Sequence, residues 1–235
     1  MPRSAATGPR HDEVAATLAG EIISGARPTG SRMPTVEEMF ERFGASRVLM
    51  REVTKTLTAK GLIVARSKVG TLVLPPDRWN WFDPDFLAWR VRIGLDISFF
   101  GQLTQMRRAV EPAAAALAAQ QCSPDVMAQL GEALDAMQSA AGDQRAFAEA
   151  DLRFHVILGT ASGNPLFRSF ASVVETALGA SLALTAPLDA SAIAVTVGRH
   201  RLIADAVGAR DPDAAARAMI AVIDEGADRL LANGG

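Results

Sequence analysis

Asp151 and His155 stand four residues apart in a stretch of helical character, so their side chains stack on one face about a turn from each other. A carboxylate and an imidazole so placed can be two ligands of one ion, or a hydrogen-bonded pair with no ion at all. His200 lies two predicted helices later and is a third candidate ligand in a chain with only 3 histidines. Arg107 and Glu111 repeat the four-residue spacing on an otherwise apolar run that includes Leu103, Met106, Val110, Ala114 and Leu117. They form either an intrahelical ion pair or a guanidinium fork that waits for a ligand carboxylate, because an arginine near an apolar interior needs an anion. A third group is basic. Arg47 and Arg51 would project from one face of a short helix into a DNA major groove, and Arg66, before a Ser-Lys-Val-Gly turn, and Lys68, within it, would meet phosphate.

The elements that position these groups can be read from local signals. Thr35 to Leu57 reads as two short helices joined by a glycine turn at Gly44, with Ser46 or its neighbour capping the second. Lys60 to Leu74 then gives two short β-branched runs around the turn, which is a wing. Val14, Leu18, Ile22 and Ile23 form a helical stripe over residues 12–23 that Gly25 ends. We expect a disordered tail over residues 1–11, a winged helix-turn-helix over 12–76, and a linker over 77–84. Its Trp79, Trp81 and Phe82 make the linker too aromatic for a purely solvated tether. From residue 85 alanine-rich amphipathic stretches dominate, with breaks at Gly94, Pro124, Gly142, Pro165, Pro187 and Pro212. These predict an all-helical domain over 85–235, with helices near 85–93, 96–121, 124–140, 144–162, 165–184, 190–208 and 212–232. The fold class is therefore mainly α, with one small β wing.

Charge supports the same division. Residues 1–76 hold 11 Lys+Arg against 7 Asp+Glu, whereas residues 77–235 hold 13 against 19. A basic third on an acidic remainder fits nucleic-acid binding by one part of the chain. The single cysteine, Cys122, rules out an internal disulfide framework and suits a reducing cytoplasm. No apolar run approaches the roughly 20 residues that a bilayer requires, so no membrane partner is expected. Catalytic signatures are missing: there is no glycine-rich phosphate loop, no Gly-x-Ser-x-Gly elbow, and no histidine near Cys122 in sequence. A metal-dependent helical enzyme acting on a small acid, with the N-terminal unit serving regulation, is the competing reading.

The N-terminal residues Ile22-Ile-Ser-Gly, Met33-Pro34, Ala45-Ser-Arg-Val-Leu-Met-Arg-Glu52, Lys60-Gly-Leu-Ile and Val69-Gly-Thr-Leu-Val73 resemble the winged helix-turn-helix of GntR-family transcriptional regulators. Met106-Arg-Arg-Ala-Val-Glu-Pro112, Ala150-Asp-Leu-Arg-Phe-His155, Ser162-Gly-Asn-Pro-Leu166 and Arg199-His-Arg-Leu-Ile-Ala-Asp-Ala206 resemble that family's FCD effector domain. Within the family, Trp79 to Trp89 and Glu111-Pro112 are most similar to repressors of galactonate and related sugar-acid operons. The resemblance implies DNA contacts from Ser46, Arg47 and Arg51, with Lys68 and Gly70 at the wing tip. Glu37 departs from the pattern, since many members carry an arginine there. The family's metal set is an aspartate and three histidines; Asp151, His155 and His200 match three positions, and the fourth falls on Val222, which cannot ligate. A divalent Zn, Ni or Mn would then rest on three protein ligands. Arg107 matches the position used towards an effector carboxylate. The implied protein is a cytoplasmic, homodimeric repressor that binds a double-stranded operator and is switched by a hydroxy-carboxylate such as a sugar acid.

Overall fold

The computed structural model describes residues 10–94, 97–140, 142–170, 186–187 and 189–233, with side chains as far as residue 229. Most of the tail expected over residues 1–11 lies outside the described residues. The chain divides into two compact units, Met1–Gly94 and Leu95–Gly235.

The N-terminal unit opens with α1 (His11–Ile23), which buries the Val14, Leu18 and Ile22 stripe. Helix α2 (Val36–Phe43) begins at Thr35, whose hydroxyl accepts from the Glu38 amide while Glu38 reaches back to the Thr35 amide. This reciprocal cap fixes the helix start. Gly44 ends α2 in the left-handed region at φ 64°, and Ser46 caps α3 (Arg47–Ala59) by accepting from the Leu49 amide. Those two caps set a sharp turn between the helices. Strands β1 (Ile63–Arg66) and β2 (Gly70–Val73) pair antiparallel with Ile63 opposite Val73 and Arg66 opposite Gly70, and Lys68 sits at the tip with φ 61°. The chain before α2 extends this ribbon through an Arg32–Leu72 bridge.

Three tryptophans close this unit. The Trp79 indole donates to the Leu74 carbonyl, and Trp79, Trp81 and Phe86 meet at ring centroids 5.1–5.7 Å apart. Helix α4 (Pro84–Ile93) buries Phe86, Leu87 and Trp89, and it packs on α1. Composition groups residues 85–93 with the helical part of the chain; the structure packs them on the N-terminal unit instead. Lys60, at the end of α3, explains much of this. Its buried ammonium donates to Asp83 at 2.6 Å and Asp85 at 2.7 Å, and lies 5.4 Å from the Trp89 ring. Gly61 makes the approach possible: at φ +72° it comes so close that a Cβ would lie 2.2 Å from the Arg78 carbonyl oxygen.

The C-terminal unit contains α5 (Ile97–Gln120), α6 (Pro124–Ser139), α7 (Gln144–Ala161), α8 over residues 165–170, α9 (Ala190–Gly208) and α10 (Pro212–Asn233). Of the helix expected over 165–184, residues 171–184 lie outside the described residues. Side chains of Ser123, Asp143 and Asp189 cap α6, α7 and α9. Helix α5 packs on α7, α9 and α10, and α6 packs on α7 and α9. Leu130, Met137, Phe154, Leu158, Ile193 and Val207 are fully buried between them, with alanines filling the close helix crossings. Cys122 is a free, buried thiol.

Candidate functional site

Among the described residues, five buried acidic, basic or imidazole side chains lie inside this apolar bundle: Arg107 and Glu111 on α5, Asp151 and His155 on α7, and His200 on α9. None is more than 9 % exposed. One turn of helix places each pair side by side, and the packing of α5, α7 and α9 brings the three helices' polar groups to one point. His200 Nε2 is 2.7 Å from Asp151 Oδ1, and His155 Nε2 is 3.7 Å from the same oxygen. One ligating atom from each of Asp151, His155 and His200 falls within 4.8 Å of the others.

The tautomers follow from the partners. His200 Nδ1 lies 2.9 Å from the Thr196 carbonyl oxygen, which only accepts, so Nδ1 carries the proton. Its Nε2 then offers a lone pair to Asp151 Oδ1, another acceptor, and neither atom has a hydrogen-bond partner among the described residues. Two buried acceptors at 2.7 Å need a cation between or beside them, either a proton that makes His200 an imidazolium or a metal ion. The donor set of one carboxylate and two imidazoles, one with a carbonyl holding its far nitrogen, fits a divalent ion. Val222, on α10, is buried among apolar side chains and adds no ligand.

Arg107 is already paired. Its Nε donates to Glu111 Oε1 at 2.6 Å and its Nη2 to Glu111 Oε2 at 3.3 Å, so Glu111 occupies the guanidinium fork. The same Nη2 lies 3.4 Å from His155 Nε2, and His155 Nδ1 comes within 2.8 Å of Glu111 Oε2, out of line for a straight hydrogen bond. The sequence pairs Arg107 with Glu111, but nothing in it points to the His155 contact, which joins residues 44 positions apart on another helix. A cavity of about 20 Å³ opens beside Glu111 and His155, walled by Val110, Leu152, Phe167 and Met219. It has room for about one water molecule.

Burial alone would raise the Glu111 carboxyl, but the Arg107 charge and then His155 more than offset it and hold it near 2. Asp151 is likewise held well below the carboxylate range: burial opposes ionisation, and His200, His155 and Arg107 favour it. A lowered folded-state pKa means that the ionised form stabilises the fold above the unfolded value of 4.5 and that this stability is lost as pH falls from there towards about 2. For Glu111 the loss is of order 3 kcal/mol. Urea unfolding followed across this range should show that decline, and Glu111→Gln should flatten it; a parallel decline in both proteins would remove Glu111 as its source.

The second set of residues is exposed. Arg47 opens α3 with its side chain 85 % accessible and a long ion pair, 4.0 Å to Glu37. Arg51, Arg66, Lys68 and Gly70 are exposed as well, and Ser46 is exposed while capping α3. Between α3 and the wing runs a groove of about 510 Å³ lined by Arg32, Thr35, Arg51, Lys55 and Gly70. Sequence reasoning misses Val48, an apolar side chain 71 % exposed on the first turn of α3. Its apolar type marks it only as core, and the signal that could have found it is its neighbours' polarity.

Comparison with known proteins gives concordant results. Residues 10–73 match the family described as bacterial regulatory proteins, gntR family, and residues 102–225 match the FCD domain. The galactonate operon transcriptional repressor of Escherichia coli K12 is 32% identical over 219 residues, which is 93% of this chain and 96% of that protein. The HTH-type transcriptional repressor NanR of Cronobacter sakazakii is 26% identical over 203 residues, 81% of this chain and 73% of that one. Among solved structures, the Lar protein of Listeria monocytogenes superposes with a TM-score of 0.66 at 16% identity, covering 96% of this chain and 99% of that chain. Streptococcus agalactiae GntR superposes with a TM-score of 0.52 at 22% identity, covering 93% and 99%. These two likenesses show the fold.

Proposed function

Given that this chain belongs to the GntR family of bacterial regulatory proteins and carries an FCD domain, and so is a ligand-responsive DNA-binding regulator rather than an enzyme, we propose that it is a cytoplasmic, homodimeric repressor switched by a small sugar acid. The observation that carries this is the buried Asp151, His155, His200 cluster beside the Arg107–Glu111 pair, in a chain that also has an exposed winged helix. Arg47 and Arg51 read base edges in the major groove, and Val48 meets a thymine methyl. Ser46, Arg66, Lys68 and Gly70 contact the backbone and so set register rather than sequence. A homodimer follows from operator reading, since one winged helix contacts too little DNA to single out a site in a genome, and two-fold symmetry doubles the contacts.

Asp151, His155 and His200 would hold a divalent Zn, Ni or Mn, which supplies positive charge and open positions for ligand oxygens. Charge balance supports this pairing of ion and acid. With both imidazoles neutral, Arg107, Glu111 and Asp151 leave the cluster with one net negative charge, which repels a carboxylate. A dication makes the balance one positive, which a single carboxylate neutralises. The cavity beside Glu111 and His155 holds about one water, so a sugar acid that enters there displaces the side chains around it, and a ligand shifts the DNA-binding state by its preference for one arrangement.

Operator binding titrated with a panel of sugar acids tests the reading, with galactonate first because the E. coli relative is a galactonate operon repressor. One acid should release DNA without being turned over, and a ligand at about 100 times its dissociation constant should stabilise the protein by roughly 2.7 kcal/mol. With three protein ligands the ion should be partly lost to a chelator, and release by the acid should weaken with it. His155→Ala should abolish what metal remains. Protein that holds no Zn, Ni or Mn in elemental analysis even after soaking would leave the histidines as hydrogen-bonding groups only.

A further inference from the structure

We propose that Glu111 is the positioning residue of the cation site: it selects the tautomer of His155 that leaves a lone pair facing Asp151 and His200. The inference rests on the reading of that cluster as a cation site. His155 has two ring nitrogens in different surroundings. Nε2 lies 3.4 Å from Arg107 Nη2 and 3.7 Å from Asp151 Oδ1, whereas Nδ1 lies 2.8 Å from Glu111 Oε2. A guanidinium only donates and an ionised carboxylate only accepts. The two nearest neighbours, Arg107 and Glu111, therefore favour the same arrangement over the pull of Asp151 at 3.7 Å, with the proton on Nδ1 facing the Glu111 charge, off the line of a straight hydrogen bond, and the lone pair on Nε2. That nitrogen is the one turned to Asp151 and His200.

Glu111 performs this through its second contact. The bidentate grip on Arg107, at 2.6 and 3.3 Å, keeps the carboxylate ionised and holds it in the bundle, so the oxygen beside His155 cannot turn away without breaking a buried ion pair. His200 has the equivalent arrangement with a different acceptor, the Thr196 carbonyl on its own helix. Both imidazoles are thus oriented by an acceptor behind the ring, as ligating histidines are. An amide at position 111 cannot do the same. Its oxygen would take the Arg107 donors, which turns its NH₂ to His155, calls for a lone pair on Nδ1 and moves the ring proton to Nε2, where it blocks ligation.

Two measurements on the full-length protein decide this. With ¹⁵N-histidine labelling, only 3 rings contribute to the imidazole spectrum, and long-range proton–nitrogen correlations tell protonated ring nitrogens from bare ones. His155 in cation-free parent protein should be protonated on Nδ1. Zinc affinity, measured by competition with a chelator, should fall about 10- to 100-fold in Glu111→Gln. Glu111→Asp, which keeps the carboxylate, should recover much of it. A ring proton on Nε2 of parent His155 overturns the proposal, as does parental zinc affinity in a folded Glu111→Gln protein. Should that variant not fold, the tautomer of the parent His155 decides by itself. Parent protein that binds no zinc refutes the cation reading separately, and the tautomer still answers for Glu111.

Discussion

Arg107→Ala is expected to cost the helical unit about 3–5 kcal/mol, because it leaves the Glu111 carboxylate buried without its cation. The side chain is 7 % exposed and fills its fork with Glu111, so no solvent stands ready to take over. Glu111 would then take up a proton at a higher pH, which relieves part of the cost and shows as a changed pH dependence of unfolding. Effector response should vanish, since without the Arg107 charge a bound dication would leave the cluster with no net positive charge to draw a carboxylate. Arg107→Lys should fail too, because an ammonium lacks the planar fork that spans both Glu111 oxygens. The double variant Arg107→Met with Glu111→Leu should be more stable than Arg107→Ala, since it removes the orphaned charge. Operator affinity of the folded protein should stay within a few-fold of the parent, as the winged helix is a separate unit. Urea unfolding of the three variants measures these costs; a loss below about 1 kcal/mol in Arg107→Ala would show that Glu111 finds another partner.

Joint replacement of Arg47 and Arg51 by alanine should cause the largest functional loss without a loss of fold. Arg47 is 85 % accessible and its ion pair with Glu37 is long, at 4.0 Å, so its removal should disturb little packing. A bidentate arginine on a guanine edge discriminates by about 1–3 kcal/mol, so losing two should weaken operator binding roughly 30-fold or more and relax preference at the base pairs they read. Lys68→Ala should behave differently, weakening binding to all sequences and lowering the salt slope by about 1. Fluorescence anisotropy on operator and scrambled DNA at several salt concentrations separates the two behaviours. Unchanged operator binding by the double variant, with its thermal unfolding intact, would take the recognition role away from α3.

What the sequence determined by itself is local. The caps at Thr35, Ser46, Ser123, Asp143 and Asp189, the glycine turn at Gly44 and the wing around Lys68 depend on backbone conformation and on groups three or four residues away. For the same reason the pairs Arg107–Glu111 and Asp151–His155 were legible, because one helical turn brings each together wherever the helix packs. His200 was a candidate ligand because histidines are scarce in this chain, but only the resemblance to a family matched it, and Val222, to positions of one cluster. Tertiary packing alone decided the rest. Alanine-rich helices offer several similar faces to their neighbours, so periodicity does not say that α9 turns His200 onto Asp151, or that α5 sets Glu111 behind His155. The helix over 84–93 carries an apolar stripe that would suit either unit, and its place on the N-terminal one is settled by Lys60, a buried ammonium that must find Asp83 and Asp85. A fork that looked open for a ligand is filled by Glu111, since a guanidinium buried in a bundle takes the nearest anion the packing allows.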